Sequence, residues 1–221
     1  MSFTFLPMTI VVSVAVLLTY CFINLSLWIN FILIFLTTFI GIIFRKSKIP
    51  YVDTFKIDGE MYLSPVHGIV EDVRQNVTIP GTSEIGHEIR VSISIFEEKG
   101  LYLPANAEVS YLKAFNGRKV PRNSDSKEFY VPVDELSHTD MVLSLRSSHQ
   151  TLLRFIDCKY SIRPYIWLKS GDRGRGAACF GHYPFGGTLL IYIPQNSDIL
   201  VFNKERVVPG HTVIAAIKGF K

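Results

Sequence analysis

The glycine-rich run Gly181-His182-Tyr183-Pro184-Phe185-Gly186-Gly187-Thr188 leads into Leu189-Leu190-Ile191-Tyr192-Ile193 and ends at Pro194. It reads as a tight turn feeding a short apolar strand. Thr188 brings a hydroxyl directly after the paired glycines, although its ordinary role is that of a strand residue. A second candidate is Gly171-Asp172-Arg173-Gly174-Arg175-Gly176, where Arg173 and Arg175 suit an anionic headgroup. No Gly-Lys-Ser/Thr occurs, and the strand, turn and long helix of the dinucleotide fingerprint are missing, so this is no nucleotide loop. His67 stands at a turn before a strand, a position where a hydrogen-bonded structural histidine is the plain reading. His87, His138, His149, His182 and His211 are scattered without partner spacing, and no metal site is expected. Cys21, Cys158 and Cys179 form neither a ligand pattern nor a disulfide framework, which fits a reducing compartment.

Two kinds of element must position these residues. Met8 to Phe44 is apolar apart from Asn24-Leu25-Ser26-Leu27-Trp28-Ile29-Asn30. Each half approaches the roughly 17 to 25 apolar residues of a spanning helix. The reading is a transmembrane helical hairpin, about 8–24 and 28–44, within an anchor of residues 1–48. Arg45, Lys46 and Lys48 follow at once, so the positive-inside rule places the rest at the cytoplasmic face of the cell (inner) membrane. No positive segment precedes the apolar run, which argues against a signal peptide.

Residues 49–221 change texture to short strands and frequent turns. Ile89, Val91, Ile93 and Ile95 alternate with Arg90, Ser92 and Ser94, the pattern of a half-buried strand. Further strands are expected over Gly68–Val73, Glu108–Ala114, Phe129–Val133, Met141–Leu145, Pro164–Lys169, Thr188–Ile193 and Ile199–Phe202, with a surface loop over Asn116–Lys127. The fold class is therefore α+β and mainly β, a sandwich or barrel behind the hydrophobic hairpin. The net charge is +4, and the first 44 residues contain no Asp, Glu, Lys or Arg. No basic run with interleaved aromatics marks a nucleic-acid surface. A mildly basic domain beside a membrane suits anionic lipid instead.

From Phe44 to Ala216 the ordered motifs resemble bacterial phosphatidylserine decarboxylases. Phe44-Arg45 closes the hairpin as the family's Phe-Arg does. Ser64-Pro65-Val66-His67-Gly68 resembles Ser-Pro-x-Asp-Gly, Ser94-Ile95-Phe96 the family's Ser-Ile-Phe, and Leu103-Pro104 its Ala-Pro. Lys169-Ser170-Gly171-Asp172 is similar to Lys-Glu-Gly-Asp, and Gly210-His211-Thr212-Val213-Ile214-Ala215 to Gly-Glu-Thr-Val-x-Ala. Gly181 and Pro194 flank Gly187 at the spacing the family uses around its self-cleaving serine. The resemblance implies cleavage after glycine by that serine, a pyruvoyl group on the new N-terminus, and a histidine and aspartate assisting.

This sequence departs at all three places. Gly187 replaces the serine and cannot become a pyruvoyl group, so no cofactor is expected. His67 replaces the aspartate. Glu97-Glu98-Lys99-Gly100-Leu101-Tyr102 replaces the family's histidine segment and is shorter. Gly186, Gly187, Thr188 and His67 are thus remnant positions rather than an intact catalytic set. The leading expectation is a non-catalytic membrane protein that binds phospholipid, phosphatidylserine among the candidates, or partners another membrane protein or a second copy. One alternative is an active phosphatidylserine decarboxylase that uses Thr188 and makes phosphatidylethanolamine. The other is a purely structural membrane-anchored β module.

Overall fold

In the computed structural model the described residues are 27–43, 61–80, 82–114, 141–146 and 149–217, with a few positions between 13 and 20. The chain divides into two compact units, Met1–Lys48 and Ile49–Lys221.

In the first unit a helix, α1 (Leu27–Ile43), carries no acidic residue in its first turn and no basic residue in its last. Its polar side chains are turned inward on the helix itself. Thr37 and Thr38 donate their hydroxyls to the carbonyls of Leu33 and Ile34, each at 2.8 Å. Trp28, Phe31, Ile32 and Phe35 are left exposed. The helix has 17 residues, about 26 Å at the α-helical rise, against a hydrocarbon core of roughly 30 Å. Among the described residues no helix is long and apolar enough to cross a membrane. The spanning hairpin expected from the sequence is therefore corrected to one described apolar helix; the helix expected over 8–24 lies largely outside the described residues.

The second unit is built of strands. The first are β1 (Met61–Leu63), β2 (Gly68–Thr78), β3 (Ile85–Ile93), β4 (Gly100–Tyr102) and β5 (Ala107–Ala114). They are followed by β6 (Met141–Arg146), β7 (Gln150–Ile156), β8 (Tyr165–Ile166), β9 (Arg173–Gly174) and β10 (Cys179–His182). The last are β11 (Gly187–Pro194), β12 (Ser197–Ile199), β13 (Arg206–Val207) and β14 (Val213–Ile217). An eight-stranded sheet runs β13-β2-β3-β11-β7-β6-β5-β9, and two three-stranded sheets run β1-β14-β12 and β4-β10-β8.

Alternation decides which side faces the core. Ile89, Val91 and Ile93 of β3 point the same way as Leu189, Ile191 and Ile193 of β11, and all are buried. They pack with Tyr62, Leu101, Phe180 and Ile214 from the small sheets, so the small sheets cover one face of the large one. Leu190 and Tyr192, the intervening residues of β11, join Val142, Leu152 and Ile79 in a second cluster. The central strands are thus buried on both faces. That explains why β7 was not among the expected strands. Leu152, Leu153 and Phe155 are all buried, and the run shows no alternation to read.

Elsewhere the expected strands are adjusted. Pro164–Lys169 shrinks to β8, and Ile199–Phe202 gives way to β12, which ends where that run begins. The strand expected over Phe129–Val133 and the loop over Asn116–Lys127 lie outside the described residues.

Candidate functional site

The glycine pair sits where a turn enters the middle of the large sheet. Gly187 is opposite Ile93 of β3, and Thr188 is opposite both Ser92 of β3 and Ile156 of β7. Gly186 has φ +73°, and a Cβ there would collide with the carbonyl oxygen of Ile93 and lie 3.3 Å from that of Ser94. Only glycine fits. The turn is tied by Tyr183 N–H donating to the Lys99 carbonyl at 2.8 Å and Lys159 N–H donating to the Gly186 carbonyl at 3.3 Å.

Gly187 is the decisive position. Its φ is +149°, and a Cβ there would lie 2.8 Å from the carbonyl oxygen of Asp157 and nearer still to the hydroxyl of Tyr183. That tyrosine cannot swing aside at low cost. It is wholly buried and meets Phe155 edge-on at 5.6 Å between ring centroids. Its hydroxyl has two acceptors, the Ile156 carbonyl at 3.2 Å and Cys158 Sγ at 3.0 Å. The space a side chain at 187 needs is therefore already filled. Thr188, half-buried, is held between two neighbouring strands.

The same end of the sheet carries a charged group assembled from distant segments. Ile69 of β2 is opposite Ser92 of β3. Continuing the β2–β3 and β3–β11 registers by two residues and one brings His67 and Gly186 to either side of Ser94, roughly 10 Å apart across two strand spacings. Glu97 Oε2 lies 3.4 Å from His67 Nε2, and Arg206 Nη2 donates to both Glu97 oxygens at 3.0 Å. Arg206 Nε also donates to His67 Nε2 at 3.3 Å. The two contacts of Nε2 need different proton placements, since Arg206 requires a bare nitrogen and Glu97 a protonated one. An acid and a histidine therefore do meet here, with the histidine on the segment before β2 and the acid on the one before β4.

Lys99 completes the cluster. Only 1% exposed, it donates from Nζ to the Ser94 carbonyl at 2.5 Å. Burial pushes its ammonium down to about 8, with Glu97 opposing the shift and Lys159 adding to it. Next to it Tyr102 donates to Glu98 at 2.6 Å, and burial with that carboxylate raises the phenol far above its usual range. Burial also lowers the imidazolium of His182. Among the described residues no group of three His, Cys, Asp or Glu side chains could hold a metal ion.

Placement separates the sequence candidates. Gly186, Gly187, Thr188 and His67 share one end of the central strands. Arg173 and Arg175 do not join them. Arg173 lies on β9, at the other edge of the large sheet and four strand positions from β11, where its Nε donates to Glu108 at 2.7 Å. Sequence reasoning missed Glu97, Lys99, Tyr183 and Arg206. The one local signal was the charged triplet Glu97-Glu98-Lys99 abutting the apolar Leu101-Tyr102-Leu103.

Among known proteins the chain is similar to three bacterial relatives that each carry the name phosphatidylserine decarboxylase proenzyme. That of Carboxydothermus hydrogenoformans is 25% identical over 199 residues, covering 88% of this chain and 87% of the relative. That of Parabacteroides distasonis is 24% identical over 175 residues, 74% and 72% of the two chains. That of Wolbachia pipientis wMel is 26% identical over 164 residues, 70% and 67%. No protein-family model and no solved structure matches the chain. Relatives that agree in name over most of both chains, together with motifs in the same order around one turn, lead to a single conclusion: the chain is similar over most of its length to phosphatidylserine decarboxylase proenzymes.

Proposed function

We propose that this protein is a family member that keeps its backbone uncut and binds anionic phospholipid at the cytoplasmic face of the cell membrane without decarboxylating it. The observation that carries the reading is the Tyr183 hydroxyl standing where a side chain at Gly187 would have to go. A pyruvoyl group needs a serine there, and the residues present do not fit one. The membrane side rests on α1, whose exposed Trp28 and Phe35 (81% and 74%) leave a helix apolar all round, as lipid contact requires. Arg45, Lys46 and Lys48 and the net charge of +4 favour an anionic leaflet.

The names of the relatives favour a second reading, an active decarboxylase that makes its carbonyl group from Thr188. The two differ in turnover. The full chain, reconstituted with vesicles containing phosphatidylserine labelled in the serine carboxylate, is expected to co-float with them and to release no labelled carbon dioxide. Release that disappears in Thr188→Val would replace the first reading with the second. Failure to co-float would remove the lipid reading and leave a structural module.

A further inference from the structure

We infer that His87, Thr151 and Ser197 form an internal hydration site, in which bound water fastens the turn after β11 to the strands on either side of it. The site lies at the end of the core away from the glycine pair, and it is independent of the lipid reading.

Side-chain direction and register bring the three residues together. His87 shares the parity of Ile89 and Val91 on β3, Thr151 that of Leu153 and Phe155 on β7, and Ser197 that of Ile199 on β12. All three therefore turn toward the core. Ile193 of β11 is opposite His87. On its other side Tyr192 is opposite Leu152, and one further step along that register sets Ile193 beside Thr151. His87 and Thr151 thus flank β11 roughly 10 Å apart, across two strand spacings. The turn leading to Ser197 is held from both flanks. His87 Nε2 donates to the Gln195 carbonyl at 3.1 Å. Asn196 Nδ2 lies 3.3 Å from Nε2 of His149, two residues before Thr151. Ser197 is the next residue along the chain.

Hydrogen-bond accounting selects the occupant. His87, Thr151 and Ser197 are 5%, 2% and 2% exposed, yet His87 Nδ1, Thr151 Oγ1 and Ser197 Oγ have no hydrogen-bond partner in the protein. Unpaired polar atoms enclosed in a core are costly, and folded proteins satisfy nearly all of them. A carbonyl only accepts, so a neutral His87 carries its proton on Nε2 and presents Nδ1 as a bare acceptor. The hydroxyls of Thr151 and Ser197 can each donate or accept. The ligand must therefore be small, uncharged and able both to donate and to accept, which is the capacity of water. Thr151 and Ser197 are also shorter than Leu145 and Ile217, which they oppose, and short polar side chains leave the room a water requires.

The test is a pair of substitutions in the full chain, the isosteric Thr151→Val and the smaller Ser197→Ala, read by thermal unfolding. In a dry core each would remove an unpaired hydroxyl and raise the melting temperature. With water bound each deprives it of a partner, and a fall of about 2–4 °C is expected. Because the water is shared, the double variant should fall by clearly less than the sum of the two. A melting temperature unchanged or raised in either single variant would overturn the inference, as would falls that simply add. A crystal structure of the full chain should show a solvent peak within about 3.2 Å of His87 Nδ1 and of at least one of the two hydroxyls. A dry layer at that point would overturn it directly.

Discussion

Gly187→Ser is expected to cost about 2–6 kcal/mol and to leave the chain uncut, although it restores the residue type on which the family's cleavage depends. Two effects add. A residue with a Cβ at φ +149° sits in a region that L side chains avoid, at about 1–3 kcal/mol. The new Cβ also overlaps the Tyr183 hydroxyl and the Asp157 carbonyl, and forced packing of this kind costs about 1–3 kcal/mol. The Asp157 oxygen is backbone and cannot rotate away. Tyr183 is pinned by Phe155, the Ile156 carbonyl and Cys158. For a domain of this size the melting temperature should fall by about 10 °C. Tyr183→Phe in the same chain removes the nearest atom and should recover part of the loss. A Gly187→Ser protein that melts with the parent would show that position 187 has room, and the packing argument would fail.

Lys99→Met is expected to stabilise the domain at neutral pH. Lys99 carries its charge into a buried site, where its ammonium donates to the Ser94 carbonyl. Glu97 offsets only part of the cost of burying this ammonium, and an apolar residue of similar length avoids that cost. The pH dependence fixes the sign. The folded ammonium titrates near 8 and the unfolded one near 10.5. Between these values the unfolded chain holds a proton that the folded chain has lost, so stability rises with pH across the window. Below pH 8 the penalty is present in full. Discounted for residual solvent screening and for the lost Ser94 contact, the gain should be about 1–2 kcal/mol at pH 7, or about 3–5 °C. It should shrink as the pH approaches 10. Thermal unfolding at both pH values measures this, and a Lys99→Met protein less stable at pH 7 would mean that the charge is compensated.

β3 is legible because Ile89, Val91 and Ile93 alternate with polar residues, whereas β11, buried on both faces, is marked by the glycine-rich turn before it and the proline that closes its apolar run. β7 was silent because both its faces are covered. The strand pattern of β2 is legible only to Val73. Beyond that point the polar Arg74-Gln75-Asn76, a register shift and a positive φ at Asn76 disguise a strand that continues to Thr78.

At the site, the absence of a hydroxyl on Gly187 was plain in the sequence. The reason a side chain is not accommodated was not, because Tyr183, Asp157 and Gly187 meet only through the turn and the β7–β11 register. His67, Glu97 and Arg206 were equally hidden, since Arg206 lies 139 and 109 positions from its two partners. Arg173 and Arg175 show the converse. Few residues separate them from the turn along the chain, yet the sheet order puts Arg173 at the opposite edge.

The most direct test of an uncut chain is the intact mass of the purified protein under denaturing conditions. A single species of 25.0 kDa is the expected result. Two fragments parting between Gly187 and Thr188, the smaller blocked by an N-terminal ketone, would contradict the account and make Thr188 the source of a working prosthetic group.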